Sequence, residues 1–357
     1  MAYTTIDDPS EYFQTLLYTG NGSNNRALVN DGNSDLQPDW IWFKERNSTS
    51  VHQLLDSSRG VNKALSSNDN GAEETYAYLS SFDSDGFTFD QSDGSTNENN
   101  NTFVAWQWKA NGGTTTDVSA SGSGDTQIIA STHQANTEAG FSIVTFTAPN
   151  IGSGNNYTVS HGLGAVPEVI ILKSRNVTGN WHVYHQATGP NGVLFLNKTD
   201  AFYDNIYFAD TTPSSTVFTV GARTSLDPDH TAVAYCFRSI KGYSKTGSYV
   251  GNGNVNGPFV HLGFKPNWLM VKSTTSTEHW NIPVFTSDAN GTVNTLSPNL
   301  TNAERTMDQN PAIDFLSNGF KIRTSDSNYN NDGQTFIYMA FAEHPFVSSK
   351  GVPTTAR

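Results

Sequence analysis

The histidines of "WHVYH" are the residues best placed to do chemistry, His182 and His185 lying three apart among aromatic neighbours. Two imidazoles can share a metal or pass a proton, yet in an extended strand positions three apart point to opposite faces. Trp181, Val183 and His185 then form one face and His182 and Tyr184 the other, which reads as an aromatic strand. "HGLG" at His161 stands where "HLGF" stands at His261, just before a proline-started strand, and reads as a turn. "GNGS" and "GNGNVNG" lack the Gly-Lys-Ser/Thr ending of a phosphate loop and read as hairpin turns. "DSDG" at Asp83 and "LDPDH" at Leu226 bring carboxylates that could hold calcium, but without the closing glutamate of the helix–loop–helix calcium loop. Cys236 is the only cysteine and lies inside an apolar run, the place of a small core side chain. No catalytic residue, cofactor or metal ligand is therefore assigned. Aromatics in polar surroundings are a different matter: "AFYDNIYFAD" and "EHWNIP" offer Tyr203, Tyr207 and Trp280 as a candidate surface for a glycan or protein partner.

The elements that must carry these residues are strands. Charged residues make up 15% of the 357-residue chain and aromatics 12%, and Asn, Ser, Thr and Gly crowd the rest, a balance that favours strands and turns over surface helices. A formal charge of −13 repels phosphate backbones and argues against nucleic acid. A lone cysteine excludes an internal disulfide, and no run approaches the length of a spanning helix, so membrane insertion is not expected. The start of the chain carries no basic and apolar signal pattern.

Three phrases recur: "PDWIWFK" at Pro38, "PEVIILK" at Pro167 and "PNWLMVK" at Pro266. Each leads, 65, 65 and 70 positions on, to a matching strand in "TFVAWQWK", "TAVAYCFR" and "TFIYMAFA". "SDGFTF" answers "SNGFKI", "YTGNGSNN" answers "YVGNGNVN", and "AEET" answers "AERT". The reading is all-β, with three tandem antiparallel β-sandwich, jelly-roll-like units over 12–110, 141–240 and 247–346. An N-terminal arm covers 1–11 and a tail 347–357; a Gly/Ser/Thr-rich flexible linker covers 111–140, so that the last two units form a fixed pair and the first is held loosely. The proline-started runs are central strands, with Trp40, Ile41, Trp42 and Phe43, then Val169, Ile170, Ile171 and Leu172, then Trp268, Leu269, Met270 and Val271 as repeated core. Four apolar residues in a row need cover on both faces, which a neighbouring copy or another subunit would give. "VAWQWK" alternates and is expected nearer an edge or a solvent face, and "DDPSEYFQTLL" from Asp7 to Leu17 is the one helical candidate.

Taken in order, "LQPDWIWFKERN", "VSHGLGAVPEVIILKSRN", "GYSKTGSYVGNGNVNGPFVHLGFKP" and the closing "AFAEHPF" resemble a repeated domain family of virion structural proteins from tailed bacteriophages, many of marine and cyanobacterial hosts. The resemblance implies a surface-exposed, tail-fibre-like protein of the virion, made in the host cytoplasm and serving host attachment. Capsid decoration or a head fibre is the alternative, and a host-glycan lectin or polysaccharide depolymerase a further one. It implies no catalytic residues, and no enzyme is expected. The partners implied are other virion proteins, bacterial surface glycan and the chain itself, as a homo-oligomer with a trimer favoured.

Overall fold

A computed structural model describes residues 3–150, 155–221, 224, 226–284, 294–306 and 312–354. The protein is nearly all strand in antiparallel sheets, and helix among the described residues is confined to single turns at Pro9–Glu11, Gly124–Thr126 and Ser327–Asn330. The helix expected over 7–17 is replaced by the first of these turns, capped by Asp8 accepting from the Ser10 amide at 3.0 Å, and by a strand, Phe13–Thr19. Pairing of that strand with Thr102–Trp108 along its whole length overrides the acidic start.

One strand order recurs in three stretches of chain. Phe13–Thr19, Thr102–Trp108, Trp40–Glu45 and Gln53–Asp56 lie side by side in the first. Phe141–Thr147, Thr231–Phe237, Val169–Ser174 and His182–His185 repeat the order within an eight-stranded sheet. Ser244–Val250, Thr335–Pro345 and Phe264–Ser273 repeat it again, and the Val271–Asn281 bridge leads on to Ile282–Val284. Each large sheet has a small sheet packed on its outer face, with a core cluster of its own between them. The repeated glycine of "SDGF" and "SNGF" is a packing requirement: a Cβ at Gly86 would strike the carbonyl of Leu28, and one at Gly319 that of Val260.

Strand alternation sorts the proline-started runs. Ile41 and Phe43, Ile170 and Leu172, and Leu269 and Val271 face the outer cores. Trp40 and Trp42, Val169 and Ile171, and Trp268 and Met270 face inward, where all three stretches contribute to one continuous core. The second face of each run is thus covered by the rest of the same chain rather than by another subunit. Aromatic pairs mark every junction: Trp40 stacks on Tyr235 at 4.4 Å, Trp108 meets Trp268 at 5.6 Å, and Phe237 meets Phe341 at 6.0 Å between ring centroids. Such pairs add roughly 0.5–1.5 kcal/mol each beyond the area they bury.

Two further expectations are corrected. "VAWQWK" is an inner strand, paired on both sides, and shows no solvent face; Gln107, on the polar side of the alternation, is fully buried and donates to Asn30 Oδ1 at 2.5 Å. The first stretch is not loosely held either. Asp39 accepts from the amides of Ala110, Gly112 and Gly113 at 2.8, 2.8 and 2.9 Å and so fixes the start of the connector. Within 111–140, Ser131–Asn136 pairs along its whole length with Phe141–Thr147, and Thr116–Val118 pairs with Ser131–His133, so strand replaces much of the expected flexible linker.

Candidate functional site

The structure separates the three candidate surface aromatics. Tyr203 is 51% exposed, and Tyr207 lies 6.4 Å from it, tilted against His182 at 5.0 Å. Ile206, also exposed, completes a small patch. Trp280 is not part of it: at 2% exposure it belongs to the continuous core, its polar neighbours in sequence being the ends of a buried strand. The other repeated core residues, from Trp40 to Val271, are all at most 3% exposed and present no surface.

The inward faces meet through a set of equivalent junctions. Register places His52, Trp181 and Trp280 at matching positions, one residue before the pair that opens the fourth strand of each sheet. His52 Nε2 lies 3.1 Å from the Ser297 carbonyl, Trp181 Nε1 donates to Ser66 at 2.9 Å, and Trp280 Nε1 donates to Phe195 at 2.9 Å. The first stretch thus reaches the third, the second the first, and the third the second, which closes a head-to-tail ring within one chain. A second set runs in the same direction: the carbonyls of Arg46, Arg175 and Thr274 accept from the amides of Glu304, Glu73 and Phe202 at 2.6, 2.6 and 2.8 Å. Two of these carry an ion pair as well, Arg46–Glu304 and Arg175–Glu73, both at 2.9 Å. Burial raises the Glu73 carboxyl, but Arg175 and Arg59 override it and hold it below the usual range.

The lysine that ends each repeated phrase is spent on the same ends of the strands. Lys44, Lys173 and Lys272 are fully buried, and each Nζ donates to the carbonyl of the next residue at 2.6, 2.8 and 2.6 Å. Burial pulls all three down to about 8. Arg59 is buried between Asp56 and Glu73, and its Nη2 lies 3.2 Å from the Tyr235 hydroxyl, which itself donates to Asp56 at 2.7 Å. Sequence reading missed these residues, although the invariant lysine of the three phrases and the repeated "AEET" and "AERT" were the signal.

His52, His161 and His185 have both ring nitrogens engaged, which leaves them no lone pair for metal or proton work. His52 Nδ1 accepts from Trp42 Nε1 at 2.8 Å, so its Nε2 carries the hydrogen that meets Ser297. His185 Nδ1 accepts from the Ala187 amide at 3.1 Å and its Nε2 faces the Tyr338 carbonyl; His161 repeats the arrangement with Leu163 and Ser214. Burial lowers His182 to about 3 and His161 and His185 to about 4, keeping them neutral. Asp83 accepts from the hydroxyls of Ser81 and Thr88 within its own hairpin. Among the described residues no three His, Cys, Asp or Glu side chains converge on one point. Cys236 is fully buried, and burial pushes its thiol up.

An open cleft of about 780 Å³ lies on the middle stretch, between the 117–132 segment and the end of Phe141–Thr147. Phe146, Ile129 and Ala148 line it with apolar surface, while Asp117 and Asp229 add exposed carboxylates. The family described as a domain of unknown function (DUF7483) matches residues 8–345. No curated protein and no solved structure matches the chain.

Proposed function

We propose that this chain, which belongs to the DUF7483 family, is a structural protein of a tailed bacteriophage particle, exposed at its surface and serving attachment to the bacterial host. The observation that carries the reading is the use made of the buried and half-buried ionisable groups. Arg46, Arg175, Glu73 and Glu304 join one stretch of sheet to the next, and Lys44, Lys173, Lys272 and His52 bind backbone carbonyls. Chemistry-bearing residues are thereby committed to rigidity, the property a particle appendage needs. The phrases shared with virion proteins of tailed phages supply the setting, and the net charge of −13 suits an exposed, soluble surface.

Capsid decoration is the second reading, favoured by the compact closed ring, which contains nothing resembling a fibre shaft among the described residues. Antibody labelling of intact particles tests both. Label confined to the tail supports attachment and removes decoration; label spread over the head does the reverse. Unlabelled particles would remove the virion assignment altogether.

A further inference from the structure

The middle stretch differs from the other two by an addition. Between the first and second stretches the chain inserts residues 111–140, whereas the second join, from Ser239 to Tyr243, is a short turn. The insertion adds Thr116–Val118 and Ser131–Asn136 to the edge of the large sheet, and a loop between them folds back across the sheet's end. That loop is fastened: the Ser121 and Ile128 amides exchange bonds at 2.9 Å, the Ile129 amide donates to Thr158 at 3.0 Å, and the Thr158 amide donates to Gln127 at 2.8 Å. The cleft described above lies beneath it.

We propose that this cleft binds a neutral oligosaccharide. Its volume, about 780 Å³, falls within the roughly 300–1,000 Å³ of small-molecule sites. The lining mixes an apolar floor, Phe146 and Ile129, with hydroxyl and carboxylate groups, the two kinds of surface a sugar ring presents. Thr147, exposed on the cleft wall, and the half-buried Thr132 and Thr145 supply hydroxyls to it. Charge decides against an anion. The Arg175 guanidinium at the cleft is already held by Glu73 at 2.9 and 3.0 Å, so the exposed Asp117 and Asp229 carboxylates set the local sign. Phosphorylated, sulfated or sialylated glycans are disfavoured, and hydroxyl donors are accepted. The inference rests on the attachment reading and names its receptor site, which is distinct from the Tyr203 patch.

An array of short neutral and acidic bacterial-type oligosaccharides, probed with the full chain, tests it. Ala120 and Thr147 are exposed on opposite walls of the cleft, so Ala120→Trp and Thr147→Trp fill it without disturbing the core. Binding to neutral glycans is expected, weakened roughly tenfold or more by either substitution and unchanged by Tyr203→Ala. No neutral glycan bound, a preference for acidic ones, or undiminished binding by both filled variants would overturn the site. The two readings fail separately: labelled particles with a blank array reject the cleft alone, and array binding with unlabelled particles supports the cleft and rejects the virion assignment.

Discussion

The indole of Trp280 donates through Nε1 to the carbonyl of Phe195 at 2.9 Å, joining the third sheet to the second at a point where both partners are buried. Trp280→Phe keeps a ring in place and removes one of two donors to that carbonyl, which retains the Lys198 amide at 3.1 Å, at a cost of about 0.5–1.5 kcal/mol. Trp280→Ala adds a cavity and is expected to cost about 3–5 kcal/mol. Urea unfolding of the two variants measures the difference; equal losses would mean that the hydrogen bond contributes nothing.

At the junction of the first and second stretches, Glu73 takes Arg59 Nη1 at 2.9 Å and Arg175 Nε at 2.9 Å. Glu73→Gln leaves the fully buried Arg59 with Asp56 as its acidic partner, beside the Leu54 carbonyl and Tyr235, and is expected to destabilise by about 1–3 kcal/mol. A double-mutant cycle with Arg175→Met separates the half-buried partner from the buried one. A coupling near zero would show that Arg59 alone carries the effect.

Stability should fall steeply in acid. His182, His161 and His185 bind protons near 6.5 when unfolded but only at about 3, 4 and 4 when folded, because burial disfavours the charge. The unfolded chain therefore holds more protons between those values, and stability is lost as the pH drops from about 6.5 toward 3. Each pKa unit is worth roughly 1.4 kcal/mol. Asp39, Glu45 and Glu304, raised by burial, oppose part of this loss. The three buried lysines give a second window: held at about 8 against 10.5, they make stability rise as the pH climbs between those values. Urea midpoints at pH 4, 7 and 9.5 should increase in that order; a flat profile contradicts the neutral-core account.

Limited proteolysis should cut first in 113–127, where the connector is exposed, and spare 131–140, which is in the sheet. The two fragments are expected to stay together on a sizing column, since the inward core joins residues from both sides of the cut. Release of a free first fragment would contradict a shared core.

Light scattering on the purified chain is expected to give the mass of one copy. The two-sided apolar runs that motivated a trimer are covered within the chain, so a trimeric mass would place the contact on an outer surface instead.

Much of this was legible in the sequence, and the limits have physical causes. Alternation cannot classify a run such as Trp40 to Phe43, but four apolar residues in a row do require two covers, and both exist. What the pattern does not encode is whether the second cover is the same molecule. Trp280 was read as a surface aromatic because Glu278 and His279 precede it, yet one-dimensional polarity says nothing of a core that a distant stretch completes. Gln107 misled in the same way: a buried amide with a partner, Asn30, looks in sequence like a solvent-facing one. The lysines closing the phrases have backbone carbonyls as partners, which no side-chain motif records.

The contacts that close the ring join residues 245 and 258 positions apart, His52 to Ser297 and Arg46 to Glu304. A ribosome delivers the first sheet long before its final neighbour exists, since Thr335–Pro345, the middle strand of the third sheet, is made well after it. Until that strand emerges, Trp40, Trp106 and Trp108 have only part of their packing partners and present aromatic surface to the cell. Chains that terminate early, or stall, are sticky by construction, and long-range pairing of this kind is also slow to form. Yield on expression is then limited by how well nascent chains are shielded, and a bench truncation that removes the third sheet should be recovered as an aggregate rather than as a smaller soluble protein.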